Sequence, residues 1–148
     1  MNLNHPARPN DAHVAPLKHD IVILPIGNDA GRGIYDPASS DVFKELRAAG
    51  VDVGYLHEGT ARVWRVLKGD VPYDFAIGIA SSVIGGVVLS AVQAAVAKII
   101  EPAHAVRARL VRERKAADGG IAVQELHYEG PVEGFLEALS HVDDDGAD

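Results

Sequence analysis

The chain has 148 residues, a formal net charge of −7 at pH 7 and no cysteine. Without cysteine it forms no disulfide and offers no thiolate to a metal, and the acidic balance argues against nonspecific nucleic-acid binding by the molecule as a whole. The length is that of one domain with a core of its own.

Residues 1–19 (MNLNHPARPNDAHVAPLKH) are polar and interrupted by proline, and they hold no continuous apolar run of the kind a secretory signal needs. They are expected to form a mobile tail, and the chain is expected in the cytoplasm. The domain proper is expected over 20–142, with an acidic tail (DDDGAD) at 143–148.

Asp20 to Gly27 (DIVILPIG) is a short run rich in β-branched residues that ends at a glycine, which predicts a buried strand. Pro25 places that strand at a sheet edge or near a strand end. Asn28 to Tyr35 is expected to be a loop. Asp36 followed by Pro37 has the form of a helix N-cap and first turn, Val42, Phe43, Leu46 and Ala49 then share one face, and Gly50 supplies the stop. Val51, Val53 and Tyr55 alternate as a second strand, so this part predicts a strand, helix, strand unit with its strands parallel. Gly59 to Gly69 (GTARVWRVLKG) stays open between a short amphipathic helix and a strand.

Phe75 to Ala97 (FAIGIASSVIGGVVLSAVQAAVA) carries no charge and is long enough to span a bilayer as one helix. Its many Gly, Ser and Ala residues weaken insertion. The alternative divides it into a buried strand, FAIGIA, a turn or cap at Ser81 and Ser82, and a very apolar helix over Val83 to Ile100 that is buried on most of its circumference. On that helix Ser82, Gly86 and Ser90 form a small-residue stripe suited to close approach by a neighbour or a second subunit.

Val106, Ala108 and Leu110 alternate with Arg107 and Arg109, which predicts a half-exposed strand with a basic outer face. Asp118, Gly119 and Gly120 supply the turn into a second hairpin strand over Ile121 to Tyr128. Val132, Phe135, Leu136 and Leu139 then fit a closing helix with Pro131 at its first turn. The order predicts an α/β fold: a sheet of about four strands covered by helices, ferredoxin-like or flavodoxin-like.

The candidate ligand site is GNDAGRG, where Asn28, Asp29, Gly31, Arg32 and Gly33 follow the first strand. A glycine-rich turn there can offer N–H groups to a phosphate, with Arg32 adding charge and Asn28 or Asp29 meeting a ribose hydroxyl. The spacing is neither GxGxxG nor a P-loop, and a plain surface turn explains the same residues. His57 and Glu58 at the end of the second strand form a candidate general acid and base pair, although a solvated strand end accounts for them more simply. No histidine spacing suggests a metal site, and no cofactor is implied. The basic run Arg107 to Lys115 (RARLVRERK) suits either an anion or, more simply, the solvated face of an edge strand. Trp64 is expected in the core or at an interface.

The strand, helix, strand start, the Gly/Ala-rich helix at Val83 to Ile100, the strand RARLVRERK, the DGG hairpin and the terminal helix together resemble the small accessory components associated with effectors in bacterial conflict systems. That resemblance implies a non-enzymatic adaptor or regulator acting beside an effector protein; the small-residue stripe and the tryptophan make Ser82, Gly86, Ser90 and Trp64 the expected interface residues for such association. Its partner is then a protein or a second copy of the chain. The competing expectations are a nucleotide- or phosphate-binding module or small enzyme built on the GNDAGRG loop, and a single-span, membrane-associated protein with its helix near 75–97.

Overall fold

The computed structural model describes residues 17–57, 59–65, 72–83, 86–101 and 103–141. The expected tails at 1–19 and 143–148 therefore lie almost wholly outside the described residues, as does Glu58. The β-branched run gives strand β1 (Ile21–Ile23), which ends just before Pro25, where a ladder donor would be missing. There follow β2 (Gly27–Asp29), β3 (Arg32–Tyr35), helix α1 (Pro37–Ala48), β4 (Val53–Tyr55), a single 3-10 turn at Gly59–Ala61, β5 (Arg62–Trp64) and β6 (Tyr73–Ile79). Helix α2 (Val87–Ile99), the paired strands β7 (Ala105–Lys115) and β8 (Ile121–Pro131), and helix α3 (Val132–Ser140) complete the chain.

The main sheet has five strands in the order β4-β1-β6-β7-β8, rather than about four, and a second, three-stranded sheet has the order β2-β3-β5. As expected, β1 and β4 are parallel. β6 runs antiparallel to β1, β7 is parallel to β6, and β8 returns antiparallel to β7. One face carries Ile21, Ile23, Phe75, Ile77, Ile79, Val106, Ala108 and Leu110, which bury against apolar side chains of all three helices. The opposite face holds a smaller cluster, Val22, Leu24, Ala76 and Val111, partly covered by Leu17, Ile26, Leu56 and Val123. The fold is thus mixed α/β, a sheet of parallel and antiparallel strands with the helices packed on one face.

The segment read as a loop over Asn28 to Tyr35 is instead the β2–β3 hairpin. Its two connecting residues, Ala30 and Gly31, have φ of 51° and 83°, the left-handed pair that matches the twist of a two-residue hairpin.

The uncharged stretch at 75–97 is not one helix: it divides into β6 and α2. Among the described residues no helix is long and apolar enough to cross a membrane, which overturns the single-span expectation. Helix α2 is also shorter and less buried than expected. It starts at Val87 with Gly86 at its N-cap and no side-chain cap, while Ser82 donates to Asp20 Oδ1 at 3.0 Å. Leu89, Val92, Ala95 and Val96 face the core, but Gly86, Val87, Ser90, Ala94 and Ala97 are exposed. Among the described residues nothing lies within reach of a Cβ built at Gly86.

One buried ionic cluster connects the two sheets. Asp36 is fully buried at the N-cap of α1, where Oδ1 accepts from Ala38 N–H at 2.9 Å and Oδ2 accepts from Arg65 Nη2 at 2.6 Å and Asp74 N–H at 3.0 Å. Arg65 also donates to Asp74 Oδ2 at 2.6 Å and to the Pro72 carbonyl at 3.0 Å. Two further bonds from Arg107, at 2.9 and 3.2 Å, complete the surroundings of Asp74.

Asp36→Ala removes a cap and strands a buried guanidinium. It is expected to cost about 3 kcal/mol, the low end for breaking a buried pair because Arg65 keeps some solvent contact. Asp36→Asn, which keeps an acceptor, is expected to cost less; equal losses by urea unfolding would reject the ionic role. Conversely, Ala30→Gly is expected to stabilise the chain by roughly 1 kcal/mol, against the usual sign, because Ala30 occupies a left-handed conformation. A lowered denaturation midpoint would contradict the turn assignment.

Candidate functional site

Four residues of α1 at helical spacing, Ser40, Phe43, Lys44 and Arg47, face the side on which β4 presents Tyr55 and β5 presents Arg62 and Trp64. Together they line an open groove of about 570 Å³. Tyr55 is its centre: the Phe43 ring stacks on it at 4.7 Å, the Arg62 guanidinium lies 4.1 Å over the ring, and Tyr35 and Trp64 meet it edge-on at 5.3 and 6.0 Å. The cation over the ring and the edge-on pairs are the arrangements the aromatic quadrupole favours. Trp64 remains 41% exposed, one of two large hydrophobic residues exposed among the described residues. Three cations, Lys44, Arg47 and Arg62, thus surround an exposed indole in a chain whose net charge is −7.

Burial raises the Tyr55 phenol above its ordinary value, with a hydrogen bond to Ser40 and the charge of Arg62 offsetting part of the shift. Beneath it Tyr35 is fully buried and its phenol is likewise raised by burial, against the lowering effect of the His57 N–H. The Tyr35 hydroxyl lies 3.2 Å from both the backbone nitrogen and Nδ1 of His57. His57 therefore has a phenol as its described partner, while Glu58, the other half of the expected pair, lies outside the described residues. Gly33 makes this possible, because a Cβ there would come within 2.5 Å of His57 Nδ1.

Apart from Gly33, which is buried, the GNDAGRG residues stand at the exposed end of the β2–β3 hairpin, outside the groove lining. Asn28 Oδ1 accepts from Gly31 N–H at 3.0 Å and Arg32 lies 3.5 Å from Asp29, so the side chains expected to meet a ligand meet each other. The nearest helix start, that of α1, is occupied by the Asp36 carboxylate. The basic run is also internally engaged. Arg107 pairs with Asp74 and Arg109 with Glu125, and Arg114 donates to Gln124 Oε1 at 2.8 Å. Arg112, on the same face as Leu110, is buried and donates to the carbonyls of Ala80 and Val83 at 2.8 Å each.

A second cleft of about 520 Å³ lies on the open sheet face between Pro25, Ile26 and the row Asp74, Arg107, Glu129. Its arginines are paired with carboxylates, so it offers no net charge of either sign. Among the described residues no group of three or more His, Asp or Glu is placed to hold a metal ion.

Of the expected interface residues, Trp64 lines the groove, whereas Ser82, Gly86 and Ser90 lie at the surface around the start of α2. The sequence reading did not group Phe43, Lys44, Arg47, Tyr55 and Arg62; it placed Phe43 on the apolar face of α1 and Tyr55 in the alternating second strand. The available signal was the polar and basic helical spacing of Ser40, Lys44 and Arg47 alongside the period-2 pair Arg62 and Trp64.

A phenol with a raised folded-state value contributes stability that is intact below about pH 10 and is lost as pH rises through the folded value. Following phenolate absorbance, Tyr35→Phe and Tyr55→Phe are each expected to remove one late-titrating group. A trace in which either substitution removes an early one instead would contradict the burial described.

No known protein family matches the chain, and neither a curated protein nor a solved structure matches it significantly.

Proposed function

We propose that this protein is a non-enzymatic adaptor that works through protein–protein association, seating an acidic segment of its partner in the groove between α1, β4 and β5. The observation that carries the reading is the exposed Trp64 beside Lys44, Arg47 and Arg62 on an otherwise acidic chain. Trp, Tyr and Arg are the side chains that concentrate binding energy at interfaces, and a basic patch on an acidic molecule selects a partner of opposite charge and guides its approach. The groove has room for a few side chains, so the segment is extended, not a folded surface. The element order shared with accessory components of conflict systems supports an effector protein as that partner. The strand order, 2-1-3-4-5 when main-sheet strands are numbered along the chain, supports a flavodoxin-like arrangement in a mixed-direction form.

A second reading has its own support. An exposed indole flanked by cations also suits a nucleotide, whose base stacks and whose phosphates pair. That moves the nucleotide expectation from the GNDAGRG hairpin to the groove.

Trp64 is the chain's one tryptophan, so its fluorescence reports this groove alone. Short synthetic peptides rich in Asp and Glu and carrying one aromatic residue are expected to give a saturable, salt-sensitive change. Arg62→Ala and Arg47→Ala are each expected to weaken it about tenfold, a loss of about 1.4 kcal/mol. A response to a nucleoside triphosphate and not to the peptides would favour the second reading, and a response to neither rejects the groove as a docking site.

A further inference from the structure

At the far side of the main sheet from β4, strand β8 presents an edge of eleven residues, Ile121 to Pro131. All eleven are paired with β7 on the inner side, and no described strand pairs with the outer side. An edge of this length exposes a row of backbone donors and acceptors that natural proteins blunt or use. Lysine is absent from β8, and its one proline is the last residue.

The residues favour one occupant. We infer that β8 pairs antiparallel with β8 of a second copy of this chain, joining two five-stranded sheets into one across a two-fold axis. Such an axis pairs positions symmetrically about one residue, and only an axis at Leu126 pairs Ile121 through Pro131 along their full length. In that register Glu125 of each copy stands opposite His127 of the other, and Val123 stands opposite Glu129. On the helix-bearing face Gln124 stands opposite Tyr128, and Ala122 opposite Gly130. No two carboxylates meet. Moving the axis to Glu125 sets Glu125 against its own copy, and moving it to His127 sets Glu125 against Glu129 twice. Directly opposed like charges destabilise a strand pair. The longest register is therefore also one without carboxylate repulsion.

The polar side chains around this contact are already placed for it. Glu125 is largely buried and paired with Arg109 on β7, while His127 is 68% exposed on its side chain and 3.8 Å from Glu125 of its own chain. The second histidine approaches the carboxylate from the open side. The screening length of about 8 Å at physiological ionic strength limits repulsion between two chains that each carry −7.

Sedimentation of the full chain over a concentration series at physiological salt is expected to show a monomer–dimer equilibrium. His127→Glu turns both symmetry-related contacts into carboxylate pairs and is expected to weaken the dimer about tenfold, whereas His127→Lys retains it. Hydrogen exchange gives a second measurement if His127→Glu fails to fold: at dimer concentrations alternate amides of β8, those directed away from β7, gain protection. A chain that stays monomeric, a dimer insensitive to His127→Glu, or protection absent from β8 would each overturn the inference.

Discussion

The buried ionic link between the two sheets runs through one guanidinium. Arg65 leaves β5 of the small sheet and meets Asp36 at the start of α1 and Asp74 on β6 of the large one. Each carboxylate also accepts bonds that fix something else: the first turn of α1 at Asp36, and Arg107 of β7 at Asp74. Pairs of buried charges seldom add net stability over well-packed apolar substitutes, but they exclude arrangements that leave any member unpaired. The contribution of the cluster is therefore to specify where the small sheet stands. That position brings Arg62 and Trp64 against Tyr55, and without it the groove would have only one wall.

The large sheet divides its labour by face and by edge. Its helix-bearing face contains the larger apolar core, and its other face combines a smaller apolar cluster with paired charges on β6, β7 and β8. The edges differ as well. β4 is a three-residue strand screened by the aromatic cluster, and β8 is long and open. With the groove at one edge and the proposed dimer axis at the other, both grooves of a dimer stay accessible. A partner with two acidic segments then binds with an effective concentration set by the span between them, without any new contact.

Much of the element order was legible because periodicity and caps agreed. Asp36 and Pro37 start α1 where expected, the left-handed Gly50 follows its last turn, and the DGG turn joins two long strands. The apolar stretch was harder because composition alone cannot distinguish a buried strand followed by a helix from a spanning helix; the break at Ser81 and Ser82 was the informative feature. GNDAGRG was misread as a loop because its Asn, Asp and Gly satisfy both a ligand-binding turn and a hairpin. The groove was not legible at all. Its residues come from a helix and from one strand of each sheet, and their meeting depends on a charge cluster whose partners are 29 and 9 residues from Arg65 along the chain.

Arg112 carries a further consequence for the order of folding. Its guanidinium holds the carbonyls of Ala80 and Val83, some 30 residues earlier, at the point where the chain leaves β6 for α2. Those carbonyls gain this donor only after β7 has found its register beside β6. The turn into α2 is thus completed from the far side of the crossover, after the helix has been traversed. A ribosome-bound chain ending before β7 would hold an α2 whose approach is unfastened, and the last turns of the crossover would lock only as the β7–β8 hairpin arrives. Closing a loop of that length costs entropy before the contact rewards it, so the slow step of folding is expected to lie in assembling β6, α2 and β7, not in either sheet alone.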